Sequence, residues 1–204
     1  MTFKKEKYKI VRSAVSKDVV NFVNDYILLK EQVHNTLKDS RYIIPFSDDW
    51  GTKEDPQCLG SYSHYADVAM ETLLTICLPR VEKETNLKLW PTYAYTRIYR
   101  KGHKLEKHTD RKSCEVSTTL NLGGDMWPIY LTDTRGKNIE VKLKPGDMLL
   151  YSGCELEHWR NPFKGNYCSQ VFLHYNTQNK KNKVNKLDSR IHLGLPSWFK
   201  GKKL

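Results

Sequence analysis

The sequence lacks the features that would settle its class at a glance. No window approaches 18 consecutive apolar residues, so no membrane-spanning helix is expected. The five cysteines (58, 77, 114, 154 and 168) are odd in number and none forms a CxxC pair. Neither a disulfide framework nor a zinc finger is therefore suggested, and reduced thiols are the expectation. The segment MTFKKEKYKIV is charged but has no apolar stretch, so no secretory signal is expected and the reading is intracellular, cytoplasmic. No internal repeat is visible, and hydrophobic residues at 39% are too many for a disordered chain.

Acidic residues are also scarce. There are 23 against 34 Lys and Arg, a formal net charge of +11 over 204 residues. The excess is uneven: residues 1–9 carry +3, residues 180–204 carry +7, and 10–179 only +1. The basicity thus reads as a property of the ends, solvated tails that truncation would remove without loss of chemistry unless Trp198 and Phe199 dock. One domain spanning 1–204 is expected: 1–89 mainly helical support, 90–176 the core, 177–204 a basic tail wrapping the body with Leu195, Trp198 and Phe199 as anchors.

The first third has helical periodicity. Ser16 can cap a helix carrying Val19, Val20, Val23, Tyr26, Ile27 and Val33 at three- and four-residue spacing, ending near Asp39. Pro45, Gly51, Pro56 and Gly60 make 44–60 a loop. A second helix is predicted over Ser63–Glu84, broken or kinked at Pro79. From Trp90 the period changes to two. Strands are predicted at 93–99, 116–122, 129–132, 139–143, 148–151 and 168–175, separated by glycine-containing turns. Short strands without intervening helices predict a mainly β core, a sandwich or a jelly-roll barrel, on N-terminal helices (α+β).

The chemistry lies in His108-Thr109-Asp110 and, 48 positions after Asp110, His158. Residues i and i+2 of an extended segment point the same way. An imidazole and a carboxylate so spaced can grip one cation, and a histidine from a later strand can close the face. Two His and one carboxylate, with the opposite positions open, is the arrangement of non-heme Fe(II) oxygenases.

With this triad stand YAYTRIYRKGHKLEKHTDR (93–111), VSTTLNL (116–122), KPGDMLLYSGCELEHWRNPF (144–163) and CSQVFLHY (168–175). In that order they resemble the Fe(II)/2-oxoglutarate-dependent dioxygenase superfamily, in particular its prolyl-hydroxylase-like branch. The resemblance covers about the C-terminal half. It implies a double-stranded β-helix (cupin-like) core and His108, Asp110 and His158 as ligands of Fe(II). It also implies 2-oxoglutarate as co-substrate, O2 as oxidant, and succinate and CO2 as co-products of a hydroxylation.

One departure stands out. The family pattern places a Lys or Arg nine or ten residues beyond the distal His to pair the far carboxylate of 2-oxoglutarate. Here those positions are Tyr167 and Cys168. A buried dianion needs a cation. Arg160 is the first candidate, with a rim arginine pairing Glu155 or Glu157 as the alternative; Arg97, on the face of Tyr95 and Tyr99, is the second. Tyr99 matches the family's strand tyrosine, and Thr119 and Gln170 could contact the co-substrate. Arg111 should sit at the entrance, holding substrate or orienting Asp110. Trp127 and Trp159 could line the mouth. The expected substrate is a protein or peptide side chain, with proline suggested by the nearest resemblance. A free amino acid, a small metabolite and a nucleobase stay open. So does a non-catalytic jelly-roll module that binds protein or nucleic acid through its basic ends; no membrane partner is expected.

Overall fold

In the computed structural model, residues 2–43 and 47–199 are described. Pro45 of the predicted loop and the end of the basic tail lie outside them. Two antiparallel sheets face each other. The larger has the order β1(Tyr8–Val11), β8(Met148–Tyr151), β5(Val116–Gly124), β10(Tyr167–Thr177), β3(Leu89–Arg100), β2(Tyr62–Tyr65). The smaller has the order β4(Leu105–His108), β9(His158–Arg160), β6(Ile129–Thr132), β7(Asn138–Val141). The chain is mainly β, as the two-residue period predicted, and of the two architectures that period left open it has the jelly roll.

The period assigns the two faces of the large sheet. On β10, Val171, Leu173 and Tyr175 face the helices and are fully buried. The alternate residues Cys168, Gln170, Phe172 and His174 face the space between the sheets. Opposite them on β3 stand Tyr99, Arg97, Tyr95 and Tyr93, in antiparallel register. The outer face packs against α2(Lys17–Asp39) and α3(Val68–Thr85) through Val23, Ile27, Met70, Leu74, Leu120 and Leu173. Truncating one such leucine costs about 2–5 kcal/mol.

The helices differ from expectation in detail. In α2 the buried stripe is Val20, Val23, Ile27, Glu31 and His34, while Val19 is exposed. Ser16 holds the cap position, but its hydroxyl makes no cap bond. The second helix starts five residues later than predicted. Asp67 is its cap, its carboxylate accepting from the Ala69 and Met70 N–H groups, and Tyr62–Tyr65 instead joins the sheet edge as β2. Ala66, with φ of 57°, makes the sharp turn between them. Pro79 is exposed, and the helix continues through it to Thr85.

The C-terminal segment is bound, not loose. A 3-10 stretch, Lys181–Ser189, packs along β3 and β10. Arg190 enters the protein and forms a buried ion pair with Glu71 at 2.6 Å, also donating to the Thr92 and Leu195 carbonyls. Of the expected anchors, Trp198 and Phe199 are 63% and 40% exposed, while Leu195 is half-buried and its carbonyl accepts from Arg190. A buried charged side chain needs a matching charge; Glu71 supplies it, whereas the two aromatic rings find no apolar recess.

Candidate metal centre

The two candidate histidines lie in strands too short to show a period. His108 ends β4 and His158 opens β9, and the two are direct cross-strand partners. Their ring centroids are 4.3 Å apart. Asp110, two residues beyond β4, is held by its backbone N–H to the Gly153 carbonyl at 2.8 Å. Its Oδ1 lies 3.7 Å from His108 Nε2 and 3.5 Å from His158 Nε2. The three ligand atoms fall within 4.8 Å of one another.

Neighbouring groups fix how each side chain is presented. His108 Nδ1 lies 2.7 Å from the Glu106 carbonyl, and His158 Nδ1 lies 3.0 Å from that of Leu156. A carbonyl only accepts, so each Nδ1 carries the hydrogen and each Nε2 presents a lone pair to the centre. Ser117 donates to Asp110 Oδ2 at 2.6 Å, leaving Oδ1 for the centre. Burial would raise the Asp110 carboxyl, but the polar groups around it, the His158 and His174 imidazoles and the Ser117 hydroxyl, outweigh it and hold the group well below the carboxylate range. Desolvation pushes His108 down as well, towards the neutral form that can ligate.

Gly153 belongs to this site although no motif singles it out. A Cβ there would meet the Asp110 carboxylate, Ser117 Oγ and the Cys114 carbonyl at clashing distance. Only glycine leaves room here for the Asp110 carboxylate, the Ser117 hydroxyl and the Cys114 carbonyl. Gln57 and Tyr151 are further residues the periodicity did not mark. Gln57 Nε2 lies 3.1 Å from His108 Nε2, and Tyr151 Oη lies 3.4 Å from His158 Nε2.

A cavity of about 320 Å³ opens on the three ligand atoms. Leu105, Ile129 and Phe172 give it apolar wall, and Tyr93, Tyr95 and Tyr99 line the β3 side. Deep beside it, Arg160 is buried and has no acid within ion-pair distance among the described residues. Its Nη1 donates to the Trp127 carbonyl at 2.5 Å and its Nη2 to Thr119 Oγ1 at 3.4 Å, while its Nε has no partner. Desolvation lowers its pKa, the mark of a charge short of a counterion. The rim-arginine alternative is excluded: Glu155 pairs with Lys7 and Glu157 with Lys107. Tyr99, also buried, has a hydroxyl without a partner.

The other candidates have different neighbours. Arg97 is buried but already paired, donating to Asp55 Oδ2 at 2.6 Å and to Gln57 Oε1 at 3.1 Å, so it ties the 53–60 loop over the cavity. Tyr95 also donates to Asp55. Gln170 accepts from Thr119 Oγ1 at 3.0 Å and donates to Cys168 Sγ. Arg111 is at the mouth, stacked on Tyr93 and paired bidentately with Asp188 at 2.7–2.8 Å. The tryptophans do not line the mouth. Trp127 packs beneath Arg160 against Tyr99 and Phe163, its N–H on the Asn161 carbonyl, because a large ring with one donor suits that inner position. Trp159 stacks on Tyr130, next to it across β9 and β6; strand alternation turns it to the face opposite His158 and Arg160.

No protein-family model matches the sequence, and no curated protein does. The fold has counterparts among solved structures. A prolyl-4-hydroxylase from Pseudomonas putida superposes with a TM-score of 0.66 at 12% identity, over 87% of this chain and 96% of the other. HygX from Streptomyces hygroscopicus, solved with nickel and 2-oxoglutarate, gives 0.59 at 13%, over 86% and 85%. EctD from S. alaskensis, solved with 2-oxoglutarate and 5-hydroxyectoine, gives 0.60 at 16%, over 86% and 74%. The chain therefore has the double-stranded β-helix fold of the 2-oxoglutarate and Fe(II) oxygenases. Among the described residues no helix is long and apolar enough to cross a membrane.

Proposed function

We propose that this protein is an Fe(II)- and 2-oxoglutarate-dependent oxygenase that hydroxylates a side chain presented by a protein or peptide. The observation that carries the reading is the pairing of two unsatisfied groups of complementary kind, one in the cavity and one beside it. Among the described residues three ligand atoms converge without a cation among the side chains to join them, and close by a buried guanidinium lacks an acid. A divalent metal answers the first need, and the far carboxylate of 2-oxoglutarate answers the second.

In this reading His108, Asp110 and His158 hold Fe(II). When bound, the metal with 2-oxoglutarate and O2 supplies the oxidising chemistry, with succinate and CO2 as co-products. The protein's own work is positional. Arg160 forms the charge-assisted bond to the far carboxylate and Tyr99 donates beside it, while the Thr119 hydroxyl accepts from Arg160 and orients it. Gln170 holds Thr119 in place through its side-chain oxygen. Ser117 and the two backbone carbonyls keep the ligand atoms aimed. Leu105, Ile129 and Phe172 keep the cavity dry.

A peptide substrate is supported by the likeness to a prolyl-4-hydroxylase, whose chain is matched over 96% of its length, and by a cavity open at the Arg111 side. Proline is the first residue to try. Anaerobic Fe(II) titration, followed by succinate release with peptide pools and with free amino acids, tests the reading. Wild type should bind iron and release succinate; His108→Ala should lose the iron and Arg160→Met the 2-oxoglutarate. Unaltered iron affinity in His108→Ala sinks the ligand assignment. Turnover confined to small molecules overturns the peptide assignment alone.

A further inference from the structure

We propose that Gln57 and Tyr151 are positioning residues of this centre, each holding an oxygen donor that completes the coordination beside its histidine. The inference rests on the metal reading above. It starts from the lone pairs of the two imidazoles. With Nδ1 donating to a backbone carbonyl, each imidazole in its neutral form keeps a lone pair on Nε2. Two side chains lie against those atoms: the Gln57 amide at 3.1 Å from His108 Nε2 and the Tyr151 hydroxyl at 3.4 Å from His158 Nε2.

The Gln57 amide has a fixed orientation. Arg97, which can only donate, holds Gln57 Oε1 at 3.1 Å, so the NH2 must face His108. The backbone of Gln57 is set in turn by its N–H to Asp55 Oδ1 at 2.8 Å, and Asp55 is clamped by Arg97 at 2.6 Å. Tyr151 is equally constrained, because it is buried in β8 and its hydroxyl cannot turn to solvent.

A cation on both Nε2 atoms consumes both lone pairs. The exposed Gln57 amide and the buried Tyr151 phenol are then free to donate elsewhere. The same event brings new acceptors within reach: the water or carboxylate oxygens that occupy the open positions. Gln57 lies beside the position next to His108, and Tyr151 beside the one next to His158. Each therefore exchanges a nitrogen acceptor for an oxygen acceptor and orients what binds there. Gln57 makes the 53–60 loop part of the centre, a role that its sequence, read as loop, did not disclose.

The test is Mn(II) binding, followed by 2-oxoglutarate binding to the Mn(II) protein, read by electron paramagnetic resonance and calorimetry. Tyr151→Phe removes one oxygen and keeps the ring; Gln57→Leu removes the amide. Each should weaken 2-oxoglutarate binding about tenfold, with Tm near that of wild type. Gln57→Glu should tighten Mn(II) about tenfold and block 2-oxoglutarate, because its carboxylate takes an open position. A residue that merely braced the loop would not tighten the metal. Wild-type affinities in Tyr151→Phe and Gln57→Leu, or unchanged Mn(II) affinity in Gln57→Glu, overturn the proposal and leave the metal reading standing. Equal Mn(II) binding by wild type and His108→Ala overturns both.

Discussion

His108 and His158 are partners across a ladder of two very short strands, with ring centroids 4.3 Å apart and both Nε2 atoms turned to the same point. A one-residue slip of β4 against β9 would send one imidazole to the opposite face. The register is therefore as much a part of the centre as the residue types. Gly153 secures its third member, because the Asp110 N–H docks on the Gly153 carbonyl.

Gly153→Ala should disable the centre with little loss of fold. The added Cβ displaces the Asp110 carboxylate and Ser117. Mn(II) affinity should fall at least about tenfold, as for other changes in the support of a metal ligand, with the far-ultraviolet circular dichroism unchanged. Wild-type affinity would show that the Asp110 segment yields.

Arg160→Met should separate stability from binding. An uncompensated buried charge is costly, and apolar replacements of buried charges are often neutral or stabilising by about 1–4 kcal/mol. The Tm of the ligand-free variant should equal or exceed that of wild type, while the rise in Tm on adding 2-oxoglutarate with Mn(II) should vanish. A retained rise would move the carboxylate anchor elsewhere.

Arg190→Ala should destabilise strongly. It leaves Glu71 buried without its partner, and breaking such a pair costs about 3–5 kcal/mol. Denaturant unfolding measures this directly. A loss under about 1 kcal/mol, the scale of an exposed pair, would mean that the tail docks loosely.

Asp188 should impose a pH signature. Burial would raise its carboxyl, but hydrogen bonds from Arg111, Ser113 and Tyr65 outweigh this and hold it at about 2. A depressed carboxyl contributes stability that is fully present above its unfolded value near 4 and is lost as pH falls through the folded value. The gap between wild type and Asp188→Asn should be level, at about 2 kcal/mol, from pH 8 to pH 5 and should close towards pH 2. A gap that grows on acidification would contradict the assignment.

Much of this protein is determined by local pattern. The two-residue alternation of 93–99, 116–122 and 168–175 sets strands whose inner and outer faces follow without further information. The i, i+2 spacing of His108 and Asp110 puts both on one side of the chain, and Arg160 shares that logic with His158. The family resemblance of these segments agrees with the fold observed. Tertiary structure decided the rest, because it depends on pairs of residues far apart in the chain. Strands of three or four residues such as β4 and β9 are too short to carry a period, so only their pairing makes them strands. The choice of Arg160 over Arg97 as the unpaired guanidinium was decided by Asp55, 42 positions from Arg97. The basic tail reads as solvated by composition, yet Arg190 reaches Glu71 119 positions away and Asp188 reaches Arg111 at the cavity mouth. Charge counting cannot see such contacts: it records how many charges a segment carries, while burial decides which of them must find a partner.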